Sequence, residues 1–497
     1  MEKQQEMDKR LRALAEELGY CGSFRALLHW DTGNFCPPGG QQARAKLNGY
    51  LARMTYRVQT GPEALELLDY YESHQPGDDI GKAVLRELRC QYEEGKRLGG
   101  AWKVRFSELT SIGKSKWLEA REQNDFSLFE PVLKETFELA REKGRLMGTE
   151  HPMEAFINEW DRGITVRQTD QWFTQLREGI VDILAKVRAS GRDFDDALLY
   201  APLDQAAIAR CAQAAARALG YKAECGGFFE TVHPFAAPIA PTDARISTNY
   251  SNFSTGFFST IHEAGHSIYQ QCVPPELVYT NLRSGWPGSL HESQSRFYEN
   301  IIGHSWEFTQ WYLPMVQKEL AEFAGVTARQ MYEMVNRGED RLRRMVADEL
   351  AYCLPPILRY ELEKQLMDGT LAVHDLPAAW NEKSRQYLGL EPATLKEGVL
   401  QDMQWAIGAL GFFQSYSLGN LIDGQLRAAM VRDVPGVFEG VARGEFAPVT
   451  EWLGEKIHKY QKVYLPLDIL KNATGEELHV APYLDYLNKK FGDLYGF

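Results

Sequence analysis

The chain has 497 residues, of which 44% are hydrophobic and 25% are charged, a composition typical of a soluble globular protein and not of a disordered one. Its formal net charge of −13 disfavours nucleic acid and anionic membranes as partners. No apolar run is long enough for a transmembrane helix, the first residues lack a signal-peptide pattern, and the seven cysteines include no Cys-x-x-Cys pair that would indicate a structural zinc site or a disulfide framework. We therefore expect a cytoplasmic protein.

Helical periodicity dominates roughly the first 220 residues. Leu11, Leu14 and Leu18 recur at helical spacing, and a similar apolar stripe runs from Gln171 to Ser190. The prolines and glycines between Cys36 and Gly40 predict a rigid turn between two helices.

The pattern changes between residues 221 and 250, where glycine, proline and short apolar runs predict strands and turns. A short sheet beside an active-site groove can bind an extended peptide by strand addition. On this interpretation, Asp243 to Ser247 would be the outer strand. A loop held by a contact between Asp243 and Arg245 fits the sequence equally well.

The segment that follows contains His262-Glu263-Ala264-Gly265-His266. On a helix, positions i and i+4 lie one above the other, so His262 and His266 can bind one metal ion, and Glu263 is suited to act as a general base. Catalytic zinc usually takes three protein ligands, and Glu292, 26 residues after His266, is the candidate for the third. The alternative is a structural helix whose two histidines are hydrogen-bonded to buried carboxylates.

Helical patterns resume after this segment and continue to the C-terminus. The sequence therefore predicts a mainly α fold with a small β-sheet, in a single catalytic domain covering residues 1–497. Its parts are a helical N-terminal part at about 1–220, a β region at about 221–250, metal-binding helices at about 251–300, and a helical C-terminal part at 301–497.

Further motifs accompany the metal helix along nearly the whole chain. They are Trp30-Asp31, His233-Pro234-Phe235, Asp243-Ala244-Arg245, His291 to Gln294, Arg344 with Ala347-Asp348, Gly398 with Gln401, Asp402 and Trp405, and Ala473 to Glu476. Together with the metal helix, this ordered set resembles the carboxypeptidase Taq family of zinc-type metallocarboxypeptidases.

The resemblance implies a clam-like helical body with a deep groove, and a cytoplasmic homodimer that uses zinc or cobalt to remove single residues from peptide C-termini. It assigns the metal to His262, His266 and Glu292, and the role of catalytic base to Glu263. It also makes Arg344 the first candidate for binding the substrate's terminal carboxylate.

The remaining candidates lie on the substrate side. Arg245 is the second choice for the terminal carboxylate, Tyr416 and His233 are the proposed donors to the oxyanion, and His291, Asp402 and Gln404 belong to the family's substrate-side motifs.

Four positions depart from the family pattern. Ser247 replaces a threonine, Arg343 stands where an apolar or amide residue is usual, and Pro355 and Gln404 replace histidines. Glutamine still donates a hydrogen bond but cannot carry a positive charge. These departures leave two alternatives open besides a carboxypeptidase: an impaired homologue that acts as a binding protein, and an endopeptidase or dipeptidyl-carboxypeptidase that uses the same site.

Overall fold

The computed structural model describes residues 2–231, 234–338 and 348–497. Helices make up most of these residues, and three strands lie near the middle of the chain, which confirms the predicted mainly α fold with a small sheet. Among the described residues, no helix is both long enough and apolar enough to cross a bilayer.

The helices before the sheet end at Ala218, close to the predicted limit of the helical N-terminal part. They are α1 (Glu2–Asn34), α2 (Gln41–Thr60), α3 (Pro62–Tyr70), α4 (Asp79–Gln123), α5 (Glu130–Met147), α6 (Glu154–Trp160), α7 (Val166–Ala189), α8 (Ala197–Tyr200) and α9 (Gln205–Ala218). A short 3-10 turn at Pro38–Gly40 separates α1 from α2, which confirms the turn predicted from the prolines and glycines.

The helices after the sheet carry the metal motif and the C-terminal part. They are α10 (Phe253–Gln271), α11 (Ser289–Arg296), α12 (Trp306–Glu319), α13 (Ala328–Val335), α14 (Leu354–Asp368), α15 (Leu376–Leu388), α16 (Phe413–Asp433), α17 (Val437–Ala442), α18 (Ala447–Lys456), α19 (Pro466–Thr474) and α20 (Ala481–Tyr495). A π-helical turn at Phe297–Gly303 continues α11 directly.

The sheet consists of β1 (Gly226–Glu230), β2 (Phe235–Ala240) and β3 (Asp243–Thr248), in the spatial order β1-β3-β2. β3 is parallel to β1 and antiparallel to β2, with Ile246 facing Phe228 on one side and Ala236 on the other. The prediction that residues 243–247 form the outer strand is therefore wrong. β3 is the central strand because both of its edges are hydrogen-bonded, whereas β2 is an edge strand, which is where a proline such as Pro238 is tolerated.

The main hydrophobic core joins the helices that surround α10 and α11. It includes Phe137 of α5, Phe257 of α10, Leu290 of α11, Tyr360 of α14 and Leu421 of α16, all of them fully buried. A second, smaller core lies among α1, α3 and α4, and a third small cluster places Trp30 of α1 against the sheet. The metal motif thus lies on helices that the main core fixes in place.

Candidate active site

Helix α10 presents the predicted metal motif. It begins where the Asn252 side chain accepts a hydrogen bond from the backbone N–H of Thr255 at 2.9 Å, a standard N-cap. Phe257, Ile261 and Ala264 are buried in the core on one side of the helix, which leaves the His262 and His266 side chains on another side. The aromatic and aliphatic residues therefore fix the rotation of the helix about its axis, and with it the direction of both imidazoles.

Helix α11 crosses α10 at very short range because glycine lies at the contact. A Cβ atom at Gly265 would lie 2.7 Å from the carbonyl oxygen of Gln294, and one at Gly419 of α16 would lie 3.1 Å from the backbone nitrogen of Ser293. The contact at Gly265 is shorter than real Cβ atoms show, so this position requires glycine, whereas the contact at Gly419 is tight. The close crossing brings Glu292 over the two histidines.

A buried carboxylate fixes the start of α11. Asp161 accepts hydrogen bonds from the backbone N–H of Ser289 and from its hydroxyl, each at 2.6 Å, and from the Ser415 hydroxyl at 2.5 Å. An acidic group at a helix N-terminus satisfies a free N–H and interacts favourably with the helix dipole. This contact ties α11 to the loop after α6 and to α16.

His262, His266 and Glu292 converge as the sequence predicted. One ligand atom from each lies within 4.8 Å of the others, and the Nε2 of His266 lies 3.9 Å from the Oε2 of Glu292. All three side chains are partly buried. Two imidazole nitrogens and one carboxylate oxygen form a donor set that suits a catalytic zinc-type ion. The residues present therefore fit a divalent metal.

A second carboxylate orients the first histidine. The Nδ1 of His262 hydrogen-bonds to Oε2 of Glu299 at 2.8 Å, so Nε2 is the ring nitrogen that remains for a metal ion. Arg296 links the two carboxylates, with Nη1 donating to Glu299 at 2.9 Å and Nε donating to Glu292 at 3.2 Å. Such hydrogen bonds hold metal ligands in position and tune their basicity.

The supporting roles of Arg296 and Glu299 were not predicted from the sequence. Glu292, Arg296 and Glu299 are spaced i, i+4 and i+7, so they form one charged stripe on a continuous helix. Arg296 is held further by the ring of Tyr352, whose centroid lies 3.8 Å from the guanidinium carbon. The acid–base–acid spacing was the signal that could have predicted the stripe.

Burial and neighbouring charges both shift the pKa values of the residues in the site, often in opposite directions. Burial disfavours the ionised form of Glu299, but Arg296 and His262 outweigh burial and lower its pKa to about 2. Burial likewise disfavours protonated His262, yet Glu299 outweighs it and raises the pKa of that histidine. By contrast, burial lowers the pKa of His266 well below its usual range.

Glu263 lies in the wall of a cavity of about 230 Å³, together with His266, His291 and residues of β2 and β3. Burial raises the pKa of Glu263 to about 7, against the opposing effect of His262. The His291 ring stacks on His266 with the ring centroids 4.2 Å apart, and burial lowers its pKa to about 4. The cavity therefore combines the predicted base with a neutral imidazole beside a candidate metal ligand.

The Arg245 guanidinium is already paired. It binds Asp243 through two hydrogen bonds of 2.6 and 2.8 Å, and it lies over the ring of Trp30. Both interpretations of this segment therefore hold in part: it is a strand, and it contains the Asp–Arg contact.

Asp402 supports a buried arginine. Nε of Arg359 donates to Asp402 at 2.5 Å and Nη2 donates to Gln401 at 2.8 Å, with Arg359 only 1% exposed. Gln404 lies at the start of the next short turn, where its carbonyl accepts from the N–H of Ala409 at 2.9 Å. Asp402 thus supports Arg359, and the contact of Gln404 involves only its backbone, so the substrate-side role predicted for these two residues stays a prediction.

Tyr416 is half-buried on α16, with its ring edge-on to Phe412 at 5.0 Å between centroids. The remaining substrate-side candidates, Arg344 and His233, lie outside the described residues, as does Arg343.

Comparisons with known proteins place this geometry in context. Residues 10–491 match the family described as carboxypeptidase Taq (M32) metallopeptidase. Carboxypeptidase 1 of Bacillus subtilis is 36% identical over 493 residues, which cover 98% of each chain, and thermostable carboxypeptidase 1 of Thermus thermophilus is 34% identical over 98% of this chain and 99% of its own.

The fold agrees with these matches. The crystal structure of the M32 carboxypeptidase from Deinococcus radiodurans superposes with a TM-score of 0.94 at 33% identity, covering 99% of this chain and 100% of the other. The resemblance noted in the sequence is thereby confirmed, and neither alternative, the impaired homologue or the endopeptidase, is favoured. The chain belongs to the carboxypeptidase Taq (M32) family of metallopeptidases and is a metal-dependent carboxypeptidase that acts on peptides.

Proposed function

We propose that one divalent cation, with zinc as the first choice and cobalt as the second, is held by His262, His266 and Glu292. We propose further that the enzyme removes single residues from the free C-termini of short peptides. The observation that carries this assignment is the convergence of three ligand atoms within 4.8 Å, beside a cavity that contains Glu263. When bound there, such a cation supplies Lewis acidity that activates water and polarises a carbonyl oxygen.

Glu263 is the proposed general base. It is a buried carboxylate in the wall of the cavity, a group suited to taking a proton from water and returning it to the leaving amine. The backbone N–H of Ala236, in β2, favours the charged form of Glu263, so the edge strand also helps to place the base. His291, beside His266 in the same cavity, is proposed to contact the substrate through a neutral ring.

Selection of a free C-terminus needs a cation that recognises a carboxylate. Arg344 remains the proposed residue, because a guanidinium makes two parallel hydrogen bonds to a carboxylate. Arg245 is the weaker candidate, since Asp243 already occupies its guanidinium. Tyr416 and His233 remain the proposed donors to the oxyanion that develops during attack.

The test is digestion of a short peptide with a free C-terminus and of the same peptide with an amidated C-terminus, followed by mass spectrometry. We expect a ladder of single-residue losses from the free peptide alone. Cleavage of both peptides would instead indicate an endopeptidase. Stoichiometric metal binding without any cleavage would indicate an impaired homologue.

A matched variant tests the proposed role of Glu263 as general base. Glu263→Gln preserves the shape of the side chain but removes its ability to accept a proton, so we expect it to retain one metal ion per chain and to lose at least about a hundredfold in kcat. Metal content would be measured by elemental analysis beside the kinetics. Full activity in this variant would contradict the assigned role.

The family resemblance further supports a cytoplasmic homodimer as the working form of the enzyme. Light scattering at micromolar concentration would measure the mass, and a single chain at all concentrations would contradict the dimer.

A further inference from the structure

Arg283 is a buried cation without a counter-charge among the described residues. It lies in the segment between α10 and α11, and it is 4% exposed. Its Nη1 donates to the carbonyl of Pro238 at 3.1 Å, and its Nη2 donates to the Ser23 hydroxyl at 2.6 Å. Among the residues that the structure describes, no carboxylate forms an ion pair with it.

An unpaired buried charge is costly, because the charge loses its hydration without gaining a counter-charge. Burial lowers the pKa of Arg283, and no neighbouring charge opposes this effect. A guanidinium has five N–H donors, and the two contacts above use only two of its nitrogens. The side chain is therefore able to bind an anion.

Arg283 lines a cleft of about 210 Å³ formed by α1, α2, α4, β2 and its own segment; we call it the arginine cleft. Besides Arg283, its lining includes Arg25 of α1 and the amides of Gln59, Gln91 and Asn281. The described residues that line the cleft include two arginines and no aspartate or glutamate. Its charge is therefore opposite to that of the chain as a whole, which is −13.

The arginine cleft adjoins the catalytic cavity. Pro238 of the edge strand β2 lines both spaces. Gln270, in the wall of the catalytic cavity, donates through Nε2 to the carbonyl of Ser284, which lines the arginine cleft. The two spaces therefore share part of their walls.

We infer that the arginine cleft binds the carboxylate of an acidic side chain in the substrate, so that the enzyme favours peptides with Glu or Asp at one position near the scissile bond. This inference rests on the proposed function and specifies its substrate class. A free small anion such as inorganic phosphate has the same chemistry, and the experiment separates it from a peptide side chain. A cleft of this volume has room for either group.

The test is a set of short peptides in which Glu, or its neutral isostere Gln, is placed at each position in turn. KM and kcat are measured for the wild type and for Arg283→Gln and Arg283→Lys. At one position we expect Glu to give a KM about tenfold lower than Gln in the wild type, which is the typical scale of one charge-assisted hydrogen-bonded pair. Arg283→Gln should bring the ratio to about one, and Arg283→Lys should restore part of it.

Two further variants serve as a second probe and as a control. Arg25→Gln removes the exposed cation of the cleft and should reduce the Glu preference even if Arg283→Gln fails to fold. Arg53→Gln is the control, because Arg53 lies on the neighbouring α2, is exposed and does not line the cleft. It makes the same change in net charge and should leave the preference unchanged.

A wild-type ratio near one at every position would overturn the inference, and so would a Glu preference that neither Arg283→Gln nor Arg25→Gln reduces. A different outcome combines a wild-type KM ratio near one with a melting temperature that inorganic phosphate raises in the wild type but not in Arg25→Gln. In that case the cleft binds a free anion and the substrate assignment fails. Hydrolysis of none of the peptides would remove the proposed function and this inference together. Hydrolysis without a Glu preference would remove only the inference.

Discussion

Replacing Gly265 with alanine tests whether the close crossing of α10 and α11 determines metal binding. The added Cβ would lie 2.7 Å from both the carbonyl oxygen of Gln294 and the Cα of Ser295. These atoms belong to backbone, so no side-chain rotation relieves the contact. The two helices must therefore separate.

The size of this movement follows from the contact itself. Ordinary contact to a Cβ begins at 3.4 Å, so a distance of 2.7 Å requires a separation of about 0.7 Å. Metal–ligand distances tolerate only about 0.2 Å, and Glu292 is on the helix that moves. We therefore expect metal affinity to fall by about 10- to 100-fold, the range seen when the support of a ligand is lost. Overpacking should cost about 1–3 kcal/mol of unfolding free energy as well.

The assay is competition with a metal chelator, together with urea unfolding of the metal-free protein. Gly454→Ala is the control, because Gly454 lies inside α18 and a Cβ there meets no atom within 4 Å. We expect it to leave metal affinity unchanged and to stabilise the protein by about 0.5–1 kcal/mol through helix propensity. If Gly265→Ala binds metal as tightly as the wild type and is as stable, the two helices are not held by this contact and the reasoning is refuted.

Three further predictions concern buried carboxylates. Glu299→Ala removes the acceptor for Nδ1 of His262, and we expect metal affinity measured by chelator competition to fall about 10- to 100-fold; unchanged affinity would contradict this. Asp161→Ala leaves three buried donors, two on Ser289 and one on Ser415, without their acceptor, which should cost at least about 3 kcal/mol in urea unfolding; a loss below about 1 kcal/mol would count against the cap. Burial raises the pKa of Glu363 to about 7 from an ordinary 4.5, so the folded state binds the proton of this carboxyl group more tightly than the unfolded state does. The free energy of unfolding therefore falls as the pH rises from about 4.5 to about 7, by up to about 3 kcal/mol. Relative to Glu363→Gln, the wild type should therefore lose stability between pH 5 and pH 8, and parallel pH curves for the two proteins would refute the shift.

The convergence of the candidate metal ligands was predictable because the chemistry of such a site fixes the spacing of its histidines. Two histidines four residues apart indicate one helical face, and the structure brings both to Glu292. The fold class was also predictable, since helical periodicity and the turn-rich segment are local signals. The order of the strands was not predictable from the sequence. Asp243 to Ser247 has the composition of a strand, but nothing local indicates that both of its edges are paired.

The polar support of the site was harder to predict, because its partners are far apart in sequence. Glu299 and His262 are separated by 37 residues, and Asp161 and Ser289 by 128. A single acidic residue gives no sign of which distant donor it meets after folding. Gly265 was visible within the motif, yet its need for glycine arises only from the backbone of α11 that crosses it.

The π-helical turn at Phe297–Gly303 makes this part of the chain sensitive to changes in length. It joins α11, which carries Glu292, to the segment that leads into α12, and it contains Glu299. Deleting one residue from the turn would allow regular α-helical hydrogen bonding but would rotate everything after it by about 100° relative to α11. We therefore expect homologous enzymes to keep the residue count of this turn constant.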